Sequence, residues 1–467
     1  MPLELYNSLT RKRQPLPPPP QHISMYSCGV TVYDKCHIGH ARSLYTFDTL
    51  VQYMRYRGYD VKFVRNITDV DDKIIAKAKE IGKSFDEVVR ENIDLYEKDM
   101  ASLGIKPADV EPRATDNIPL MIAHIEGLIQ KGHAYPSQGD VYFRVRSFPG
   151  YGKLSGQSID KMLEAVRIDT TEKKDDPLDF ALWKKAKPGE PFWPSPWGNG
   201  RPGWHIECSC MSMKHLGVET LDVHAGGRDL VFPHHENEIA QAEALTGKPF
   251  ARLWVHHGLL TINSQKMSKS LGNFITVQDA FQKHSVNAFK LFFLSTHYAS
   301  NIDYTEDKLL DMEKGIAKFK NLLKKIDVVG LPSFSVSLNE VDFVLDAKEK
   351  ILEAMDADFN TALALGHVFD FVTAANRFID EGKKDDYFEG SAHLAGKVLR
   401  EILEGVLGLD LNDAVSGLLP EDEAFLKERV DARKNKQWKR SDELRDILKA
   451  RGIVVEDGKQ GQTWRRV

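Results

Sequence analysis

His22-Ile23-Ser24-Met25-Tyr26-Ser27 opens the stretch that decides the fold. These residues read as a short buried strand, which Gly29 is expected to break. Beyond it Ala41, Leu44, Phe47, Leu50 or Val51, and Met54 recur at helical spacing, and Gly58 lies past the helix end. Val61-Lys62-Phe63-Val64 then reads as a second strand. Strand, helix and strand make a βαβ unit, so the two strands should be parallel. The helix begins at the carboxyl end of the first strand, where open α/β sheets bind ligands. His37-Ile38-Gly39-His40 occupies that place.

Working outward, Ser84-Phe85-Asp86-Glu87 has the spacing of a capping box, and Val88, Ile93, Tyr96, Met100 and Leu103 continue the helix it opens. Ile118, Met121, Ile122, Ile125, Leu128 and Ile129 mark another helix, closed at Gly132. Val141-Tyr142-Phe143-Arg144-Val145 alternates as a strand, and glycine, proline and tryptophan are then dense as far as Gly203. This pattern reads as an insertion between two halves of a nucleotide-binding domain. The second half resumes with the strand Leu221-Asp222-Val223-His224, then Ala225-Gly226-Gly227 and a helix entered through Pro233. Past Tyr304 long amphipathic helices take over, interrupted near Gly330 to Ser337. Near the start, Gln14 to Pro20 reads as a stiff polyproline II lead-in, because its adjacent prolines fix φ and supply no amide donors. The expected fold is α/β: a Rossmann-like parallel-sheet core with an inserted subdomain, then an α-helical bundle and a small C-terminal module.

The bulk properties are those of a globular chain. Its 467 residues suggest about three domains, and 42% are hydrophobic and 28% charged. No apolar run is long enough to span a bilayer, and the first residues lack the apolar stretch of a secretory signal, so a cytoplasmic address and no membrane partner are expected. A net charge of −5 excludes a polycation that coats nucleic acid indiscriminately; any such role needs a local basic surface. Cys28, Cys36, Cys208 and Cys210 are too few and too unevenly placed for a disulfide framework, and reduced thiols, some of them metal ligands, fit better.

The chemistry is concentrated in two short peptides. A helix start presents unpaired amides and partial positive charge to phosphate, His37 and His40 can donate hydrogen bonds to its oxygens, and Gly39 permits close approach. The second peptide, Lys266-Met267-Ser268-Lys269-Ser270, lies in a loop after the strand around Trp254 to Leu260. In this order the two resemble the HIGH and KMSKS elements of class I aminoacyl-tRNA synthetases. The resemblance implies ATP, with Mg2+, as substrate, bound by His37, Gly39, His40, Lys266, Ser268 and Lys269. His37, His40, Lys266 and Lys269 are the expected catalytic groups, with Lys269 stabilising charge as pyrophosphate leaves. Gly227 and Asp229 are ribose contacts by the same analogy. No Ser-His-Asp triad is expected, since the amino-acid carboxylate is itself the nucleophile and rate comes from positioning and electrostatics.

His234 and Glu238 are four apart, so both can project from one helical face toward one ion. Two thiolates, an imidazole and a carboxylate suit zinc, although Cys28 and Cys208 are too far apart in sequence to form a local metal motif. Cys28, Gly203-Trp204-His205-Ile206-Glu207-Cys208-Ser209 and His234-His235-Glu236-Asn237-Glu238 resemble patterns of the cysteinyl-tRNA synthetase family. So do Val64-Arg65-Asn66-Ile67-Thr68-Asp69-Val70-Asp71-Asp72 and Asp179-Phe180-Ala181-Leu182-Trp183-Lys184. That resemblance implies one zinc ion per chain on Cys28, Cys208, His234 and Glu238. A fifth position for the substrate thiolate would select cysteine over serine without an editing domain. Gly29, Thr31, Thr68 and Trp204 are the candidates for binding L-cysteine. The chain departs from the family at Ala225, where glycine is frequent, and at Cys210, where a smaller residue is common; Cys210 and Cys36 are read as packing residues.

Between Lys427 and Arg451 ten basic residues face five acidic ones, with Trp438 among them, and Thr463-Trp464-Arg465-Arg466 closes the chain. Basic side chains interleaved with aromatics can bind phosphate and stack on unpaired bases. In the family this end reads the anticodon of tRNA(Cys), and Asp358-Phe359-Asn360-Thr361-Ala362 resembles the connecting bundle. The implied division is 1–118 and 203–250 for the catalytic halves, 119–202 for the insertion and 251–310 for a stem-contact region. Residues 311–410 form the bundle, and 411–467 the anticodon-binding module. A monomer is expected. The alternatives are the related cysteine ligase of mycothiol synthesis, with an amino-sugar acceptor, and an RNA-binding paralogue that has lost adenylation.

Overall fold

The structure is a computed structural model that describes residues 2–159, 162, 174–267, 272–330, 332, 336–381, 387–411, 420–451, 453–458 and 461–466. It divides into two units, residues 1–280 with 286–411, and residues 281–285 with 412–467.

The first unit starts with a hairpin of β1 (Glu4–Asn7) and β2 (Lys12–Pro15). This corrects the polyproline expectation: Gln14 and Pro15 belong to a strand, where Pro15 pairs with Glu4 at the hairpin end. Buried Asn7 docks the hairpin, donating to the Arg252 carbonyl at 2.8 Å and accepting from the Trp254 amide at 3.2 Å.

The central sheet contains β3 (His22–Thr31), β4 (Asp60–Thr68), β9 (Leu221–Gly227) and β10 (Ala251–His257), all parallel, in the order β10-β9-β3-β4. The expected crossover helix spans Ile38–Tyr56 and buries Ala41, Leu44, Phe47, Leu50, Val51 and Met54. Gly29 does not end β3. The strand continues to Thr31 across an irregularity between Ser27 and Val30. A Cβ on Gly29 would lie 1.5 Å from the Asn66 carbonyl oxygen of β4, so glycine permits the close approach while the ladder goes on. The second strand also outruns its expected end at Val64, and the third continues through Gly227.

Between the halves, β5 (Ala134–Ser137), β6 (Asp140–Phe143), β7 (Phe180–Lys185) and β8 (Gly200–Pro202) form an antiparallel sheet. The alternating stretch Val141 to Val145 is shorter as a strand than its pattern: β6 stops at Phe143, and Val145 enters a helical turn pinned by its amide, which donates to Asp179 at 2.9 Å. Trp183 and Phe143 are fully buried here against the helix Ile118–Gln130. The predicted capping box is present, with Ser84 and Glu87 satisfying each other's backbone amides at the head of Phe85–Ser102; such a cap contributes about 1 kcal/mol.

The stretch around Trp254 to Leu260, read as one strand, is interrupted after β10 ends at His257. β11 (Leu260–Ile262) pairs antiparallel with β12 (Gln265–Lys266) and parallel with β13 (Ile302–Tyr304). The turn residues Asn263 and Ser264 both have positive φ, as a tight hairpin requires. Helices Glu306–Asp327, Asp342–Asp356, Thr361–Glu381 and Phe388–Arg400 make the bundle. Asp358 lies in its second linker, where its carboxylate accepts from the Tyr6 amide at 2.7 Å and the Tyr298 hydroxyl at 2.8 Å.

In the second unit, helices Pro420–Lys434 and Trp438–Ala450 precede a hairpin of β14 (Ile453–Gly458) and β15 (Gly461–Arg466). Leu426, Leu448, Ile453 and Val455 form its small core. Among the described residues no helix is long and apolar enough to cross a membrane.

Candidate active site

The chain leaves β3 toward β4 on one side of the sheet and β9 toward β10 on the other, so the strand order reverses between β3 and β9. Ligands bind at such a switch point. A cleft of about 370 Å³ lies there, lined by Cys28, Gly29, Thr31, His37, Gly39, His40, Trp204, Gly227, Asp229 and Lys266 among others. Ten of the residues singled out from the sequence thus share one cavity.

At one end His37 caps the helix. Its Nδ1 accepts from the amides of Gly39 at 3.1 Å and His40 at 3.2 Å, which places the ring proton on Nε2 as a donor. The His40 ring stacks on it at 3.7 Å. Burial, with smaller contributions from His37 and Lys73, pushes the His40 pKa down to about 3, so this imidazole is neutral at pH 7. Its Nδ1 is buried with no hydrogen-bond partner among the described residues. A Cβ on Gly39 would meet the His37 ring at 2.9 Å, so the close approach that glycine permits is first of all to the cap itself. Lys266 ends β12 at the cleft, and the segment after the second motif returns to the first: the Ile38 amide donates to Ile275 at 3.1 Å and the Val277 amide to Cys36 at 2.9 Å. Ser268 and Lys269 lie outside the described residues.

At the other end four groups from four elements converge. Cys28 sits at the β3 irregularity, where the Gly29 amide donates to Asn66 Oδ1 at 2.8 Å. Cys208 projects from the helix Trp204–Leu216. His234 lies in the turn Val231–His235, and Glu238 in the first turn of Glu236–Thr246. Ligand atoms of Cys28, Cys208, His234 and Glu238 all lie within 4.8 Å of one another. The two sulfurs are 3.8 Å apart, and two thiolates each about 2.3 Å from a tetrahedral zinc stand about 3.8 Å apart. His234 Nε2 is 3.0 Å from Glu238 Oε1. Burial pushes both thiols and the Glu238 carboxyl up, and burial pushes His234 down. A donor set that resists ionisation in this way is one that a divalent cation would stabilise.

Two histidines that sequence reasoning missed complete the surroundings. Cys28, His224, His235 and Glu238 form a second, overlapping quartet. His224 Nε2 is 2.8 Å from Glu238 Oε2, and His235 Nδ1 is 2.8 Å from His256 Nε2. On the first quartet, His205 Nδ1 lies 2.9 Å from His234 Nδ1, leaving Nε2 to face the cluster. Trp204 stacks on His234 at 4.0 Å and is 37% exposed, so it is not a core residue. Thr68 stands apart from the cleft-lining residues: it is buried, and its hydroxyl donates to Glu207 Oε2 at 2.7 Å. Cys210 packs among Met121, Ile125 and Ile206, and Cys36 is buried with its thiol pushed up to about 12. Lys73, whose ammonium lies 5.3 Å over the Tyr33 ring, and Arg42 also line the cleft unannounced by any local pattern.

In the second unit Trp438 is 56% exposed with the Arg433 guanidinium 5.8 Å from its ring. The basic run is in part structural: Arg429 pairs with Asp457 through both nitrogens, and Arg440 with Glu428 at 2.8 Å. The side chains of Thr463 to Arg466 lie outside the described residues.

A family model described as the tRNA synthetases class I (C) catalytic domain matches residues 16–314. A DALR domain matches 350–412, and a cysteinyl-tRNA ligase anticodon binding domain matches 416–465. The chain is 47% identical to a cysteine–tRNA ligase of Geobacter metallireducens, and 46% identical to one of Geobacillus thermodenitrificans. These alignments cover 100% of both chains in the first case and 99% of both in the second. Among solved structures, methionyl-tRNA synthetase of Mycobacterium tuberculosis in complex with methionyl-adenylate superposes with a TM-score of 0.63. That match covers 87% of this chain and 96% of the other at 14% identity, a likeness of fold.

Proposed function

The chain belongs to the cysteine–tRNA ligase family of class I tRNA synthetases, and from that premise we propose that it joins L-cysteine to tRNA(Cys) in two steps. Cysteine and ATP give cysteinyl-adenylate and pyrophosphate, and the terminal adenosine ribose of the tRNA then takes the cysteinyl group. The carrying observation is that one cleft joins a helix-start histidine pair to a face bearing Cys28.

In the first step the cysteine carboxylate attacks the α-phosphorus of Mg2+–ATP. The His37 Nε2–H and the neutral His40 ring donate hydrogen bonds to phosphate oxygens, and the amides of the helix start add their partial charge. Lys266, with Ser268 and Lys269 beyond it, holds the departing pyrophosphate. Gly227 and Asp229 take the adenosine ribose. Cys28, Cys208, His234 and Glu238 would hold zinc, which when bound supplies a soft Lewis-acidic site for a substrate thiolate. Gly29 and Thr31 border the amino acid's polar end, Trp204 walls the pocket and keeps the His234 ring oriented, and Thr68 supports it from behind through Glu207. Residues 119–202 serve as the connective insertion, 251–310 contact the acceptor stem, 311–410 connect, and 411–467 read the anticodon. The anticodon-domain match favours tRNA over an amino-sugar acceptor. A cytoplasmic monomer completes the reading, with mass in solution as its check.

The test is cysteine-dependent ATP–pyrophosphate exchange, with charging of total tRNA and metal content measured on the same sample. We expect about one zinc per chain and at least about 10⁴-fold preference for cysteine over serine. Exchange with serine equal to that with cysteine would remove the case for metal-based selection.

A further inference from the structure

Arg42 lies in the helix that the first motif opens, five residues past the His37 cap, and is 1% exposed. Its guanidinium donates to four backbone carbonyls: Nη1 to Gly258 at 2.7 Å and Leu259 at 2.8 Å, and Nη2 to Tyr298 at 3.2 Å and Ser300 at 2.6 Å. Gly258 and Leu259 immediately precede β11, and Tyr298 to Ser300 lead into its parallel partner β13. One planar fork therefore fastens the roots of two strands to the helix of the first motif. β12, which ends at Lys266, hangs from β11. Among the described residues no carboxylate takes part in the clamp. A buried cation held by carbonyls alone, its Nε without a partner among the described residues, is costly to keep, and the planar fork of two Nη groups suits the arrangement as a lysine does not.

We infer that Arg42 is a positioning residue for adenylate formation: it sets the place of the hairpin that carries Lys266 and leads to Lys269, relative to the His37–His40 turn. The fixed object is the hairpin root, so Lys266 reaches the cleft from a defined origin. Displacement of a catalytic group by about 1 Å can cost about 100-fold in rate. A second link joins the same strand roots, since the Leu259 amide donates to Asn301 Oδ1 at 2.8 Å at an exposed position.

This inference rests on the proposed reading of the cleft as an adenylation site. If the wild-type chain shows no cysteine-dependent pyrophosphate exchange, that reading fails. If it does, the role of Arg42 stands or falls on its variants. Arg42→Lys keeps the charge and loses the fork; Arg42→Gln loses both. Both should lower kcat for exchange by about 100-fold, with KM for cysteine and zinc content within twofold of wild type. Transfer from preformed cysteinyl-adenylate should change less than threefold. Asn301→Ala, a surface change, should give the same selective fall at about threefold to tenfold, and it carries the test if the arginine variants do not fold. Exchange at the wild-type kcat in a variant with a lowered melting point would make the clamp merely structural. A lysine variant as active as wild type would assign the effect to charge, and equal losses in exchange and transfer would signal collapse of the whole cleft. Each of these three results overturns the inference.

Discussion

The two ends of the cleft are built on opposite electrostatic plans. The His37 end is built without need of an ion: one imidazole caps its own helix, its neighbour is held neutral by burial with Nδ1 unpartnered among the described residues, and glycine leaves room for the cap. At the Cys28 end two thiols and a carboxyl are pressed together where burial disfavours their charged forms. The first end is finished when the chain has folded. The second would be finished by a cation that reverses that penalty. A polyphosphate brings its own charge and metal and needs donors that do not compete, whereas a small thiol must be distinguished from a hydroxyl by the softness of its partner.

The most severe way to break the contrast is Cys208→Ser, because Cys208 belongs to only one of the two overlapping quartets. Bound metal should be lost and kcat/KM for cysteine should fall by more than about 100-fold, since even outer-shell partners of a metal are worth about 10- to 100-fold. Elemental analysis and pyrophosphate exchange read both. Full metal retention would shift the ligand set to Cys28, His224, His235 and Glu238.

The matching break at the other end is Gly39→Ala. The added methyl meets the His37 imidazole at 2.9 Å, so the ring must move and release the amides it caps. kcat/KM for ATP should drop by about 10- to 100-fold at unchanged metal content. Metal loss in this variant would show that the two ends are not independent.

The same contrast explains what could be read from the chain. The first motif, its helix and the Ser84 capping box are local: side chains three or four apart meet on one helix, and their spacing is in the sequence itself. The misreadings lie where a distant partner decides. Gly29 was expected to break a strand, but its role is set by the Asn66 carbonyl of the neighbouring strand. Pro15 sits in a rich proline context, yet pairs with Glu4 across a hairpin. His224, His235 and Arg42 carry no local signature, because the atoms they meet come from other elements: Glu238 for His224, Cys28 for His235, and the Gly258 and Ser300 carbonyls for Arg42. Cys28 and Cys208 became a pair only through family resemblance, since no spacing rule joins residues so far apart, and the fold brings their sulfurs to 3.8 Å.

The smallest effect tests neutrality at the His37 end directly. His40 is depressed to about 3, chiefly by burial, and His124 and His257, also buried, to about 4. In the unfolded chain each titrates near 6.5, so between that value and its folded value the unfolded state binds more protons, and stability is lost as pH falls through that window. For one such histidine the loss from pH 7 to pH 5 is about 2 kcal/mol. His40→Gln should therefore remove about 2 kcal/mol from the pH 7 to 5 difference in unfolding free energy, read from denaturant midpoints against wild type. His124→Gln, outside the cleft, should flatten it by a similar amount. Metal release at low pH affects wild type and both variants alike and cancels in the comparison. If His40→Gln leaves the slope unchanged while His124→Gln flattens it, His40 is protonated in the folded protein, and the His37 end carries a charge of its own.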